Sequence, residues 1–133
     1  MSTFTSKEIE YLHDQRLGRL ATVNVRGVPH VVPVAFRYNV GLDTIDIGGH
    51  NLSWSEKYRD ARDTGRAAFV VDDVLPPWRA RGVEVRGRAA VLGEGGEEVG
   101  PGFASEVIRI FPERIVGWGI DSDGYTPDAR TVG

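Results

Sequence analysis

Lys57 has the least ordinary setting of any charged residue in this sequence, because it falls in the first turn of a predicted helix. The helix dipole and the free N–H groups disfavour a cation there. A bound anion would remove the conflict, since helix N-termini hold phosphate through those N–H groups and the hydroxyls of Ser53 and Ser55 add donors. A solvated lysine near Glu56 and Asp60 fits equally well, because exposed ion pairs are common. The segment therefore predicts a phosphate-binding turn, with this alternative left open.

Two prolines, Pro29 and Pro33, stand four residues apart in a segment that otherwise reads as a strand. Their missing N–H groups lie on the same side of the strand, so that side cannot form a complete ladder. One interpretation is a planar ligand that lies against Pro33, Val34 and Ala35 and uses their free backbone groups. The other is an edge strand that is protected from aggregation.

The aromatic and histidine residues carry weaker signals. Three tryptophans lie in or beside segments that contain Gly, Pro or Ser: Trp54, Trp78 and Trp118. Each could pack in the core, contact another subunit or stack on a flavin-like ring. The three histidines are isolated from one another and form no metal-ligand pattern: His13, His30 and His50. No GxSxG, P-loop or helix-opening GxGxxG motif occurs, so no catalytic residue is assigned. A redox enzyme can nevertheless leave the chemistry to its cofactor.

The elements that would position these residues are mostly strands. A capping box of Thr5 and Glu8 predicts a helix from Ser6 that Gly18 ends, and Ser53 with Glu56 predicts a second helix over 52–63 that Gly65 closes. A third helix is predicted after Pro101, from the helical spacing of its apolar residues Phe103, Val107 and Ile110. Strands are predicted at 19–25, 28–38, 44–48, 66–72, 82–92 and 114–120. Adjacent strands with hairpin links favour an antiparallel barrel over a parallel sheet.

Size and composition narrow the classes of protein. A chain of 133 residues suits a single domain over 1–133. The net charge of -3 and the absence of a basic run argue against nucleic acid as a partner. The chain lacks cysteine, shows no basic-then-apolar leader and has no apolar run of about 20 residues. We therefore expect a cytoplasmic protein without disulfides, membrane spans or a metal site.

Four segments, in this order, resemble a known family. They are GRLATVNVRGVPHVVPV, LSWSEKYRDARDTGRAAFVVDD, GVEVRGRAAVL and ERIVGWGID. They are similar to the first hairpin, the phosphate-binding turn with its helix and fourth strand, the fifth strand and the last strand of the pyridoxamine 5'-phosphate oxidase-like split barrels. The last segment resembles the branch that uses coenzyme F420, a hydride-carrying deazaflavin.

The resemblance implies a mainly β fold with flanking helices, a six-stranded antiparallel split barrel. It also implies a homodimer with cofactor sites between protomers. By similarity, Lys57 matches the phosphate-contacting lysine, Ser55 the hydroxyl beside it, and Pro33 to Ala35 the strand beneath the ring. The family turn usually bears extra basic residues where this chain has Trp54 and Glu56.

Three functional hypotheses follow. The first is an F420-dependent oxidoreductase that transfers a hydride to or from an unsaturated or quinone-like small molecule. The second keeps the fold but uses FMN, whose shorter tail needs fewer basic groups than a polyglutamylated deazaflavin. The third is a non-catalytic binder of flavin or haem. The substrate and the direction of hydride transfer are open.

Overall fold

The computed structural model describes residues 2–121 and 126–133. Two α-helices flank a β-barrel in this part of the chain: α1 (Ser6–Asp14) and α2 (Glu56–Thr64). The strands are β1 (Leu17–Val23), β2 (Pro29–Asn39), β3 (Thr44–Gly48), β4 (Arg66–Leu75), β5 (Arg79–Leu92), β6 (Val107–Trp118) and β7 (Asp128–Thr131). Short 3₁₀ turns occupy Leu52–Trp54 and Gly96–Glu98.

Six of these strands close into a barrel. They follow the order β3-β2-β1-β4-β5-β6, and β3 pairs again with β6, always in antiparallel fashion. The strand β2 joins the two halves, because it pairs with β1 from Pro29 to Ala35 and with β3 from Ala35 to Asn39. The predicted six-stranded antiparallel split barrel is confirmed, and β7 extends the sheet beyond β6.

The barrel interior is filled by apolar side chains that alternate with exposed ones along each strand. In β5, Val83 and Val85 are fully buried and Ala89 nearly so, whereas Arg86 and Arg88 face solvent, as the sequence predicts. The largest fully buried apolar residues come from α1, the turn before α2 and four strands: Leu12, Leu20, Ile45, Ile47, Leu52, Phe69, Ile108, Ile110 and Ile115. This core holds β1 and β2 in a fixed position, and with them the segment that contains Pro29 and Pro33.

A buried polar network joins β3 to β6 where the barrel closes. Asp46 is 1% exposed, and both its carboxylate oxygens accept hydrogen bonds from the Arg109 guanidinium, at 3.0 and 3.1 Å. Asn39 Nδ2 and the Thr44 hydroxyl donate to the same carboxylate, each at 2.9 Å. The Arg109 pKa is raised, chiefly by its hydrogen bonds to Asp46. The charge is thus fully compensated, which is the condition under which a buried carboxylate is tolerated.

Helix α1 begins as predicted and ends earlier. Thr5 and Glu8 form the capping box, but the helix ends at Asp14, four residues before Gly18. Gly18 instead lies in β1, where an added Cβ would stand 2.2 Å from the Phe69 ring. This glycine is required by close packing inside the barrel, so the prediction that it ends a helix is wrong.

The helix predicted after Pro101 is also wrong. Phe103 lies in a loop that covers Gly48, where an added Cβ would come within 3.1 Å of its ring. Val107 and Ile110 belong to β6, which pairs with β5 on one side and with β3 on the other. Strand pairing on both edges outweighs a helical spacing of three apolar residues.

Part of the C-terminal tail is a strand. The strand β7 pairs with residues 114–117 of β6, and Arg130 binds the buried Glu8 of α1. The sequence suggests little core-forming character for this tail after Asp121, yet Val132 packs against the core. Residues 122–125 of the tail lie outside the described residues.

Candidate functional site

Helix α2 starts one residue before Lys57. Ser55 is the N-cap, and its hydroxyl accepts a hydrogen bond from the Tyr58 N–H while donating to the Leu52 carbonyl at 2.6 Å. Glu56 is therefore the first helical residue and Lys57 the second. The predicted helix and its closure at Gly65 are confirmed, but the cap is Ser55 and not Ser53. The Ser55 hydroxyl already serves the helix start.

Lys57 lies on the inward side of the first turn, one turn before the buried Asp60 and Ala61. Its side chain is partly buried, and burial lowers the pKa of its ammonium group. No residue within 2–121 or 126–133 forms an ion pair or a hydrogen bond with it. A partly desolvated cation thus stands at the positive end of a helix dipole without an anion from the described chain.

Two polar contacts fix α2 against β1 and β2. The Thr22 hydroxyl donates to Asp60 Oδ2 at 2.9 Å, and both groups are buried. One turn earlier in α2, Glu56 Oε2 lies 3.7 Å from His30 Nδ1. Thr22 and His30 are cross-strand partners, so the first turn of α2 lies beside the first half of β2. Glu56, the neighbour of Lys57 in sequence, is in this way brought close to the two-proline segment.

The first half of β2 has an open edge. The pairing with β3 begins only at Ala35, so none of the described strands covers the second edge of residues 29–34. The prediction that the two prolines interrupt a ladder agrees with this geometry. Val25, Val28 and Val31 are strongly exposed around this hairpin, with Val31 at 68%.

The direction of each backbone group along this edge follows from one hydrogen bond. The Asn24 N–H donates to the Val28 carbonyl at 3.1 Å, and bonded pairs alternate along an antiparallel ladder. Val34 therefore directs its backbone groups towards β1, and Ala35 directs its own towards β3. The expectation that both have free backbone groups is not met, whereas the Pro33 carbonyl does face the open edge. Their role in lining a cofactor stays a prediction.

The turn before α2 presents an exposed aromatic ring on a hydrogen-bonded backbone. The Trp54 N–H donates to the Asn51 carbonyl at 3.0 Å, and its own carbonyl accepts from Arg59 Nη1 at 2.9 Å. The indole is 78% exposed. Hydrogen bonds, the strongest from the Ser53 hydroxyl, hold the pKa of Glu106 below its usual range. Ser53 thus faces a carboxylate, and its predicted phosphate contact is untested.

The other candidates are spread over the surface. His50 packs edge-on against Phe103 at 5.1 Å, and His13 against Tyr38 at 5.8 Å. Trp78 lies in the β4–β5 hairpin and Trp118 packs over Gly82. None of them is brought into the neighbourhood of Lys57 by a contact within the described residues.

Thr22 and Val31 are two residues of this region that the sequence did not reveal. Thr22 is one of the few polar residues buried in the barrel, a property that its apolar neighbours Ala21 and Val23 do not reveal. Val31 lies midway between the two prolines, so the period of two residues in a strand is the signal that could have found it.

Comparison with known proteins agrees with this geometry. The sequence profile of the family described as pyridoxamine 5'-phosphate oxidase matches residues 5–130. The chain belongs to this family. Among its relatives, the 5a,11a-dehydrotetracycline/5a,11a-dehydrooxytetracycline reductase of Streptomyces rimosus is 48% identical over 122 residues, which cover 90% of this chain and 86% of the reductase.

Solved structures share the fold of this family member at low identity. The heme binding protein from Mycobacterium smegmatis has a TM-score of 0.67 and 17% identity, and the match covers 98% of this chain but only 59% of that one. The FAD binding protein from Mycobacterium smegmatis has a TM-score of 0.64 and 19% identity, with coverage of 88% and 96%. Among the described residues, no helix combines the length and the apolar character needed to cross a bilayer.

Proposed function

We propose that this chain is a cytoplasmic oxidoreductase that binds coenzyme F420 and transfers a hydride to an unsaturated, conjugated small molecule. The relative from Streptomyces rimosus, a reductase of dehydrotetracyclines that is 48% identical to this chain, supports the reaction class. It also supports a substrate class, a conjugated polycyclic polyketide. The deazaflavin rests on the resemblance of the last strand to the F420 branch, so FMN is kept as the second candidate.

The observation that carries the proposal is the unpaired cation at Lys57. Both cofactors have a phosphate group, and both have a flat ring system. The start of α2 provides N–H groups and an ammonium group for the phosphate. The adjoining open edge of β2 provides a flat surface with free carbonyl groups for the ring. The residues present therefore fit a phosphate-bearing flavin or deazaflavin.

In this proposal, the residues of the chain bind the cofactor and orient it. Lys57 and the first N–H groups of α2 hold the phosphate, with Ser53 and Ser55 as further predicted contacts, and Pro33, Val34 and Ala35 support the ring. A bound reduced deazaflavin supplies the hydride. The buried hydrogen bond between Thr22 and Asp60 holds α2 against β1, and the phosphate and ring positions would thereby stay at a fixed separation.

We further propose a homodimer with its sites between protomers. The exposed valines of the β1–β2 hairpin form an apolar surface beside the site, and such surfaces commonly mark interfaces. Burial of Trp54 by a partner or a bound ring would explain why so large an apolar side chain is exposed to solvent in the single chain. Size-exclusion chromatography with light scattering measures the oligomeric state directly.

The FMN alternative has one specific observation in its favour. Trp54 and Glu56 stand where the family turn usually carries basic residues, so the cations at this turn are Lys57 and Arg59, whose guanidinium already donates to the Trp54 carbonyl. One phosphate group needs fewer cations than a tail of several carboxylates. A salt titration of the affinity separates the two, because binding of the more highly charged cofactor falls more steeply with salt.

The test is a titration of the purified protein with F420 and with FMN, followed by the fluorescence of each cofactor. Tight binding of F420 and consumption of the reduced coenzyme with a dehydrotetracycline-like enone would support the proposal. Preference for FMN would move the chain to the flavin alternative. Binding of a cofactor without turnover of any such enone would indicate a carrier, and binding of neither would refute the proposal.

A further inference from the structure

The open edge of β2 is almost devoid of hydrogen-bond donors. Because bonded pairs with β1 include Asn24 with Val28, the residues that face away from β1 are Pro29, Val31 and Pro33. Both prolines lack an N–H. The edge therefore carries three carbonyl groups, spaced about 7 Å apart, and the single N–H of Val31. No described residue accepts a hydrogen bond from this N–H.

This pattern suits a small heterocycle better than another strand. An added strand needs a donor at every second residue, and two of the three donors on this edge are missing. A cyclic imide has an N–H with a carbonyl on each side. Its carbonyl can accept from Val31 while its N–H donates to a backbone carbonyl of the same edge.

We propose that the backbone of Val31 recognises the imide edge of the cofactor ring, with the Val31 N–H as the donor to a ring carbonyl. The inference rests on the proposed function, because flavin and deazaflavin rings both carry such an imide. The contact between His30 and Glu56 ties this edge to the first turn of α2. Ring and phosphate are thereby recognised by two separate parts of one site, Val31 and Lys57.

The substitution Val31→Pro removes this donor with little other change. The Val31 N–H takes no part in the β1 ladder, and His30 before it is already extended, as a residue preceding proline must be. The comparison variant is Val31→Ala, because both variants lose the valine side chain and only proline loses the N–H. Circular dichroism and thermal melting show whether both variants keep the wild-type fold.

The measurement is the dissociation constant for two pairs of ligands. Each pair consists of a phosphate-bearing cofactor and its phosphate-free ring compound: FMN with riboflavin, and F420 with its deazaflavin core. We expect Val31→Pro to bind both members of the preferred pair about 5- to 100-fold more weakly than Val31→Ala does. Lys57→Met, by contrast, should weaken only the phosphate-bearing member.

Equal affinities of folded Val31→Pro and Val31→Ala would overturn the inference while leaving the proposed function intact. A change in oligomeric state with unchanged ligand affinity would overturn it too, since the edge would then pair between protomers. If wild-type protein binds no member of either pair, the inference and the proposed function fail together.

A second measurement covers the case in which Val31→Pro does not fold. Methylation of the imide nitrogen of riboflavin removes the ring N–H and adds bulk where the β2 carbonyls would accept. Wild-type protein should bind N3-methylriboflavin at least about 10-fold more weakly than riboflavin, in line with the loss of one hydrogen bond and a steric clash. Equal affinity for the two compounds would contradict recognition of the imide edge.

Discussion

Lys57→Met should stabilise the protein without cofactor and weaken phosphate recognition. The chain contains one other lysine, Lys7, which also occupies the second position of a helix, in α1 after the cap Thr5. Lys7 is exposed, whereas Lys57 is partly buried. Lys7→Met is therefore a matched control for the helix position, and methionine keeps most of the apolar side-chain length.

The magnitude has two parts. In both variants, removal of a cation from the first turn of a helix relieves about 0.3 to 1 kcal/mol of unfavourable interaction with the helix dipole. Lys57→Met should gain more than this in free energy of unfolding at pH 7, because burial disfavours the charged form of Lys57. Loss of a charge-assisted hydrogen bond to phosphate costs about 1.5 to 3 kcal/mol, which is about 10- to 150-fold in affinity.

The pH dependence has a definite sign. The pKa of Lys57 in the folded state lies below its ordinary value of 10.5 because of burial. The folded protein therefore binds the lysine proton less tightly than the unfolded chain does, and stability rises with pH between the folded pKa and 10.5. The advantage of Lys57→Met in urea denaturation should shrink over this interval and be smallest above pH 10.5.

Two results would refute this reasoning. If Lys7→Met and Lys57→Met change the free energy of unfolding equally, burial imposes no extra cost on Lys57. If Lys57→Met lowers the affinities for riboflavin and for FMN by the same factor, the ammonium group does not contact phosphate. Cofactor affinity of Lys7→Met should equal that of the wild type, which controls for charge alone.

Three further predictions concern the barrel. Arg109→Met removes the charged partner of the buried Asp46 and should lower the free energy of unfolding, measured in urea, by about 3 to 5 kcal/mol. A loss below about 1 kcal/mol would mean that the network is dispensable. Gly18→Ala forces a methyl group against the Phe69 ring and should cost about 1 to 3 kcal/mol, with an unchanged melting temperature as the contrary result. Burial alone would raise the pKa of Asp43, but hydrogen bonds from neighbouring N–H and O–H donors hold this pKa below 3.8. The contribution of Asp43 to stability is therefore lost as the pH falls through the lowered pKa. Asp43→Asn should therefore flatten the fall in stability below about pH 4, and parallel curves for variant and wild type would contradict this.

The sequence predicts most strands because the local signals and the tertiary structure agree there. The hairpin at Gly27, the helix end at Gly65 and the alternation in β5 each rest on a physical requirement of a few neighbouring residues. The prediction fails where a distant partner decides. Gly18 is small because of Phe69, and Val107 joins a strand because β3 and β5 flank it.

The candidate site divides in the same way. The unusual position of Lys57 is a local property, so helix rules alone reveal it. Its partial burial depends on how α2 packs on the barrel, and this packing involves contacts of Asp60 with Thr22 and of Glu56 with His30, which join segments far apart in sequence. The cap is likewise decided by the path of the preceding turn, which favours Ser55 over Ser53.

The two interpretations of the paired prolines are complementary. Prolines at alternate outward positions remove two of three donors, which prevents another strand from adding to this edge. Because proline keeps its carbonyl group, the same edge still presents carbonyl groups and one N–H, without a risk of strand pairing. An edge that binds a small ring must stay open in the protein without cofactor, and an open strand edge is otherwise prone to aggregation. In the proposed site, Pro29 and Pro33 would therefore keep the edge open for the ring without exposing it to strand pairing. Replacing both prolines with valine should increase aggregation of the cofactor-free protein, measured by light scattering.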